Sequence, residues 1–137
     1  MPITVTAPRG VLTPAGEREI LPQLTAALAE ASGLAANPAF TAMVGGTVHI
    51  LAPEHIYAGG VNRPVVMVEL KLPDIGLPTI EARAEFIYAA TDIVERLTVD
   101  GHDSNDTWIN ILNARDGAWG IGGNALSNAD IAAALAG

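Results

Sequence analysis

An internal repeat limits the folds that this chain can adopt. Its two halves align at an offset of about 61 or 62 positions. The aligned pairs are Pro2 with Pro64, His49-Ile50-Leu51 with Asn110-Ile111-Leu112, and Tyr57 with Trp119. A glycine pair soon follows each of the two aligned aromatic residues. A period this long in only two copies excludes a solenoid and indicates a duplicated supersecondary unit.

Each copy has the pattern of a strand, a helix and a second strand. Branched and apolar residues predict strands at residues 3–7, 47–52, 65–72 and 107–112. Apolar residues at helical spacing predict one helix per copy, beginning at Thr13-Pro14 and at Pro78-Thr79. Pro22 lies inside the first helix, where it should bend the helix or delay its start.

We therefore expect an α+β fold, a two-layer α/β sandwich of duplicated β-α-β units. The helix between the strands makes each crossover parallel, so two units give a four-stranded mixed sheet with both helices on one face. The expected organisation is a single domain over residues 1–137, with repeats at 2–60 and 64–123. Half of the residues are apolar and only 16% are charged, so we expect other subunits to cover the second face of the sheet.

Composition excludes several classes of function. A net charge of −8, with only seven lysines and arginines, argues against nucleic-acid binding. The absence of cysteine excludes disulfides, thiolate catalysis and cysteine-based zinc sites. No apolar run reaches the length of a membrane span and no basic leader precedes one, so we expect a cytoplasmic protein with no membrane partner.

Two stretches resemble metal or nucleotide sites only superficially. Asp100, His102, Asp103 and Asp106 offer one histidine in a short loop, a pattern typical of solvated turns. The glycine-rich residues 117–123 follow a strand but open no helix with dinucleotide-binding spacing. We expect neither a metal nor a cofactor.

The most reactive group that the sequence offers is Pro2. Methionine aminopeptidases accept a small second residue, so removal of Met1 would leave the proline nitrogen as a free secondary amine. An α-amino group has an ordinary pKa near 8, and an apolar pocket lowers that pKa toward neutrality. A neutral amine at operating pH can serve as a general base for a proton on carbon beside a carbonyl.

The chain resembles the tautomerase superfamily, whose members are β-α-β duplications with an amino-terminal proline. Met1-Pro2-Ile3 is similar to the start of those proteins, and Tyr57-Ala58-Gly59-Gly60 is similar to the middle of the macrophage migration inhibitory factor group. Trp119-Gly120-Ile121-Gly122-Gly123 resembles the ending of 4-oxalocrotonate tautomerase. The resemblance implies a homotrimer, a small-molecule substrate and a cofactor-independent tautomerase with Pro2 as catalytic base.

The resemblance also suggests residues that bind substrate. Trp108 and Asn110 alternate along one strand and so share a sheet face; the matching residues in relatives line a neighbouring subunit's pocket. Tyr57 is a candidate pocket wall, and Lys71 and Arg115 are candidate carboxylate binders. Leucines stand where relatives carry cations, at Leu12 and Leu34, which favours a monocarboxylate or a neutral 2-oxo compound over a dicarboxylate. Arg9 and Arg63 are further possible anion binders.

Two alternatives remain open at this stage. Pro2 could stay protonated and act as a general acid in a hydratase, dehalogenase or decarboxylase of the same superfamily. The chain could also be a catalytically silent trimer that acts by binding, since a fold does not fix a function.

Overall fold

A computed structural model describes residues 1–136 of the chain. Its elements, in chain order, are β1 (Pro2–Pro8), α1 (Pro14–Ala31), α2 (Pro38–Met43), β2 (Gly45–Leu51), β3 (Tyr57–Ala58), β4 (Val61–Asn62), β5 (Val66–Pro73), α3 (Ile80–Leu97), β6 (Thr107–Ala114), β7 (Trp119–Ile121), β8 (Asn124–Leu126) and α4 (Asn128–Ala136). Short 3-10 turns occupy Pro53–His55 and Ser104–Asp106.

The main sheet has four strands in the order β2-β1-β5-β6. β1 is parallel to β2, β5 is parallel to β6, and the central pair β1 and β5 is antiparallel. The units β1-α1-β2 and β5-α3-β6 therefore lie side by side in one mixed sheet. The expected α+β architecture of two β-α-β units is confirmed.

Both main helices begin where their capping residues predict. The Thr13 hydroxyl oxygen accepts the amide hydrogen of Gly16 at 2.9 Å, and that of Thr79 accepts the amide hydrogen of Ala82 at 3.1 Å. α1 continues without interruption through Pro22, whose side chain is exposed. Pro22 therefore does not delay the start of the helix, which its cap has already fixed at Pro14.

The core lies between the sheet and the two long helices. Alternate residues of the central strands point into it, and the helices contribute residues at three- and four-residue spacing. The fully buried members include Ile3, Val5, Val68, Leu70, Ile20, Leu24, Leu28, Phe86, Ala90 and Val94. Complete burial of one such aliphatic or aromatic side chain stabilises the fold by about 1.5–3 kcal/mol.

The opposite side of the sheet, here called the open face, has no helix over it in residues 1–136. It presents alternate residues of the four main strands: Thr47, His49, Leu51, Pro2, Thr4, Thr6, Met67, Glu69, Lys71, Trp108, Asn110 and Leu112. Trp108 and Leu112 keep 39% and 49% of their surface exposed. Large apolar side chains at the surface of a sheet are typical of a subunit interface.

Each repeat ends in a small β-hairpin. β3 pairs with β4, and β7 pairs with β8. The two turns are Gly59-Gly60, with φ of 62° and 77°, and Gly122-Gly123, with φ of 59° and 85°. Two consecutive residues with positive φ are what a tight type I′ hairpin turn requires, and glycine supplies them without strain.

None of the helices in residues 1–136 combines the length and the apolar character needed to span a bilayer.

Candidate active site

The amino terminus enters the body of the protein rather than projecting from it. Met1 is only 8% exposed. Its amino group donates a hydrogen bond to the carbonyl of Met43, and its own carbonyl accepts one from the amide of Gly45 at 3.2 Å. These bonds hold the terminus against the segment that joins α2 to β2.

Beside Met1 lies a cavity of about 130 Å³ with almost wholly apolar walls. Three segments distant in sequence build it. Its lining residues are Met1, Ala31, Ser32, Leu34, Phe40, Pro73, Ile75, Gly76, Leu77, Pro78, Ile131 and Leu135. The end of α1 with α2, the loop after β5, and α4 therefore meet around the amino terminus.

Burial lowers the pKa of the amino group of Met1 from its ordinary value of 8.0 to about 6. The cause is desolvation, which disfavours the charged ammonium in these apolar surroundings. An amine at this position is therefore largely neutral at pH 7.

The Pro2 nitrogen is bonded to Met1, which lines the cavity, while Pro2 itself is exposed at the start of β1 and is not among the lining residues. While Met1 is attached, that nitrogen is an amide and carries no proton to exchange. Removal of Met1 would turn it into a secondary amine and would empty the space that the buried methionine side chain fills.

Lys71 is the sequence-predicted site residue nearest to Pro2. The antiparallel register pairs Ile3 with Leu70, so one further step sets Pro2 opposite Lys71 on the open face. Directly opposed residues on neighbouring strands have Cβ atoms about 4.5–5.5 Å apart. Arg115 follows β6 at the same end of the sheet, where Ala114 pairs with Pro73.

The other predicted residues lie farther from Pro2 within one chain. Asn110 pairs with Glu69 and Trp108 with Met67, so both are on the open face, as expected, but on the strand beyond β5. Trp108 is four residues along the sheet from the Lys71 position, about 13 Å at the usual rise per residue. Tyr57 is in the first hairpin, 55% exposed, beyond the opposite end of β1. These three side chains are far from the Pro2 of their own chain.

Several cavity residues were not expected from the sequence. Phe40, Leu77, Ile131 and Leu135 come from α2, α4 and the loop before α3, none of which had an assigned role. One signal was available for α4: Ser127 and Asp130 form a reciprocal capping box, with Ser127 N to Asp130 Oδ2 at 2.8 Å and Asp130 N to Ser127 Oγ at 3.1 Å. The amide and the hydroxyl of Ser127 both donate to the Asp130 carboxylate, and these two bonds lower the pKa of that carboxyl.

The acidic loop before β6 is built from local turn contacts. Asp103 accepts the amide hydrogen of Asn105, Asp106 pairs with Arg63, and His102 shares a hydrogen bond with Thr107. In residues 1–136 no group of three or more histidine, aspartate or glutamate side chains is placed to hold a metal ion.

Comparison with solved structures identifies the architecture. A wild-type symmetric trimer named Q0 fused 4-OT superposes with a TM-score of 0.75 over 97% of this chain and 98% of its own, at 23% identity. The fold is that of the tautomerase superfamily. The resemblance of the sequence to that superfamily is thereby confirmed at the level of structure.

Two further solved structures share the fold with lower scores. Macrophage migration inhibitory factor from Toxoplasma gondii matches with a TM-score of 0.66 at 20% identity, over 89% of this chain and 96% of that one. FG41 malonate semialdehyde decarboxylase, solved inhibited by 3-bromopropiolate, also gives 0.66 at 20% identity, with 89% of each chain covered. No protein-family model and no curated protein sequence matches the chain. The tautomerase fold thus hosts more than one activity among these neighbours.

Proposed function

We propose that the chain is a cofactor-independent tautomerase in which Pro2, freed by removal of Met1, is the general base. Its substrate would be a small 2-oxo acid or the corresponding 2-hydroxy-enoate. The observation that carries this proposal is the insertion of the chain's own amino terminus into an apolar cavity of about 130 Å³. Burial there lowers the pKa of the Met1 amine to about 6, and the same desolvation would keep a Pro2 amine neutral enough to act as a base at neutral pH.

The chemistry needs one group that both accepts and returns a proton. In ketonisation the Pro2 nitrogen takes the proton from the 2-hydroxyl, the O–H bond breaks, and the carbonyl double bond forms. The same nitrogen, now protonated, delivers that proton to carbon at the other end of the enol, where a C–H bond forms. No electrons or atoms are gained or lost, so the reaction requires no second reactant.

Lys71 is the proposed partner for the substrate carboxylate. It stands opposite Pro2 in the sheet register and is exposed on the open face. Its positive charge would also lower the pKa of the Pro2 amine, in the same direction as burial. Arg115, at the same end of the sheet, is a second candidate for the carboxylate.

We further propose that the chain works as a homotrimer. The uncovered apolar residues of the open face support this, as does the fused 4-OT neighbour, which is a symmetric trimer. In a trimer, Trp108, Asn110 and Tyr57 would act on a neighbouring subunit's site, since they are remote from Pro2 in their own chain. Light scattering at micromolar concentration tests this, and a stable monomer would contradict it. A cytoplasmic location remains a prediction.

The decisive test is the substitution Pro2→Ala, with the terminus verified by intact mass. Ketonisation of phenylenolpyruvate and of 2-hydroxymuconate can be followed by ultraviolet absorbance. A primary amine remains in this variant, but its basicity and geometry differ, so kcat/KM should fall strongly with some residual rate; complete loss of a placed general base would cost about 10²–10⁴. Pro14→Ala is the matched control, because Pro14 is an exposed helix-start proline. Equal kcat/KM values for Pro2→Ala and the wild type would remove Pro2 from the mechanism.

A second candidate, hydration or decarboxylation with protonated Pro2 as acid, has one observation in its favour. Glu69 lies on the open face two residues before Lys71 on β5. It pairs with Thr4 and is therefore the diagonal neighbour of Pro2 across the two strands. A carboxylate there could position a water molecule. If this alternative holds, Glu69→Gln should abolish hydration of an acetylenic acid; under the tautomerase proposal, it should leave ketonisation within about threefold.

A further inference from the structure

Duplication of the β-α-β unit produces a second cleft at the other end of the sheet. The first cavity is lined by the start of the first unit, Met1, and by the loop from β5 toward α3. The second cleft has a volume of about 250 Å³. Residues 62–64, at the start of the second unit, line one part of it, and the end of β1 with the loop toward α1 (Pro8, Arg9 and Val11) lines another. Pro53 completes the lining. The two sites are therefore counterparts in the repeat.

The second cleft cannot carry out the chemistry proposed for the first. Its proline, Pro64, is inside the chain, so its nitrogen is an amide that neither accepts nor donates a proton. In place of an amine, the cleft has two arginine side chains, Arg9 and Arg63. Only seven lysines and arginines occur in a chain with net charge −8, and two of them line this one cleft.

The charge balance in the cleft favours a single negative charge. Arg63 is paired with Asp106, which compensates its charge and restrains its guanidinium. Arg9 has no acidic partner within salt-bridge distance in residues 1–136, and its side chain is exposed. Two guanidinium groups and one carboxylate leave a net charge of about +1 by formal charge count.

The remaining walls are rigid and mostly apolar. Pro8, Pro53, Pro64 and Val11 line the cleft. Asn62, the other polar lining residue, already donates to the carbonyl of Ile56 at 3.0 Å and to that of Pro53 at 3.3 Å. These bonds fix its side-chain amide, so the donors left for a ligand are the guanidinium of Arg9 and the part of the Arg63 guanidinium that does not bind Asp106.

We propose that this cleft is a second, non-catalytic binding site for a small organic monocarboxylate with an apolar body. The planar fork of Arg9 matches the two carboxylate oxygens, and Arg63 contributes a further donor while held by Asp106. The prolines and Val11 pack against the apolar part of the ligand. A phosphate dianion fits less well, since the cleft has one uncompensated positive charge and apolar walls.

The site is independent of the proposed active site in the same chain. Pro8, at the cleft, and Pro2, at the first cavity, are the two ends of β1. Six residue steps of strand separate them by about 20 Å. Ligand binding at the cleft therefore does not require that Pro2 be catalytic.

Benzoate is a suitable probe, with benzamide as its uncharged isostere and inorganic phosphate as the alternative anion. Titrations of ¹⁵N-labelled full-length protein would monitor the arginine side-chain signals and the amides near residues 9 and 63. We expect saturable binding of benzoate, weakened about tenfold or more by Arg9→Gln, and little binding of benzamide. Arg18→Gln is the matched control, because Arg18 is an exposed arginine on α1 that does not line the cleft.

Two further results decide the proposal. Pro2→Ala should leave benzoate binding at the cleft unchanged, so a failed ketonisation assay would not affect this site. Equal benzoate affinity of Arg9→Gln and Arg18→Gln would overturn the assignment. Tighter binding of phosphate than of benzoate would overturn the monocarboxylate class.

Discussion

The amino group of Met1 donates a hydrogen bond to the carbonyl of Met43, and this bond holds Met1 in the wall of the apolar cavity. This contact gives protein that retains Met1 a characteristic pH dependence. Burial lowers the pKa of the amine from 8.0 to about 6, so between these values the unfolded chain binds more protons than the folded one. The free energy of unfolding should therefore rise with pH from 6 to 8, by about 1 kcal/mol after allowance for solvent screening of the terminal amine.

Urea unfolding at pH 5.5 and pH 8.5, on protein made with methionine aminopeptidase inhibited, measures this difference. An NMR titration assigns the step to the terminal amine. A terminal amine that titrates near 8 in the folded protein would contradict the burial on which the argument rests.

The pH dependence of turnover should reveal the role of Pro2. A general base must be neutral to accept a proton, so kcat/KM for ketonisation should rise with pH through one ionisation below 8 and then level off. Burial lowers the pKa of the Met1 amine, and a Pro2 amine that entered the same apolar surroundings after removal of Met1 would shift in the same direction. A rate that falls over this range would mean that protonated Pro2 is the active form and would favour the hydratase alternative.

Lys71→Gln should have two separate effects on the processed enzyme. Loss of the cation that binds the substrate carboxylate should raise KM for a 2-oxo acid by about tenfold, the range of one charged hydrogen bond. Loss of a positive charge opposite Pro2 should also raise the apparent pKa in the kcat/KM profile. Arg18→Gln is again the control. An increase in KM without any change in the apparent pKa would place Lys71 away from the Pro2 amine.

The neighbouring glycines at the start of β2 should respond differently to alanine. A Cβ atom on Gly46 would lie 2.6 Å from the carbonyl oxygen of Ile3 and 2.8 Å from Leu21 Cδ2, whereas a Cβ on Gly45 meets nothing within 4 Å. Gly46→Ala must therefore displace the β1–β2 pairing, at a cost of about 1–3 kcal/mol. Gly45→Ala should change the free energy of unfolding little. Comparable urea midpoints for the two variants would contradict this packing.

Much of the fold was predictable because its signals are local. Thr13 and Thr79 cap the helices that they were expected to start. Alternation along the strands also put Trp108 and Asn110 on one sheet face, where the structure has them. Each of these inferences depends on residues only a few positions apart.

The cavity was not predictable, because its walls are brought together only by tertiary folding. Leu34, Leu77 and Ile131 are more than forty positions from one another and meet beside Met1. α4 is alanine-rich, and its apolar residues give little contrast between its two sides. The sequence identified Pro2 as a reactive group. It did not predict that Met1 would be buried against the segment before β2.

Burial of Met1 has a consequence for how the chain must be made. An aminopeptidase needs an extended, accessible terminus, and folded protein offers neither, because Met1 is 8% exposed and hydrogen-bonded at both ends. In the folded protein β1 pairs with β2, which ends at Leu51, and with β5, which ends at Pro73. Until the ribosome has made these two strands, β1 has no partner and the terminus stays accessible. At usual translation rates this leaves roughly 4–15 seconds for trimming on the ribosome. The sheet topology thus limits the time for trimming on the ribosome, because a chain that still carries Met1 when β1 pairs folds with its proline nitrogen blocked as an amide.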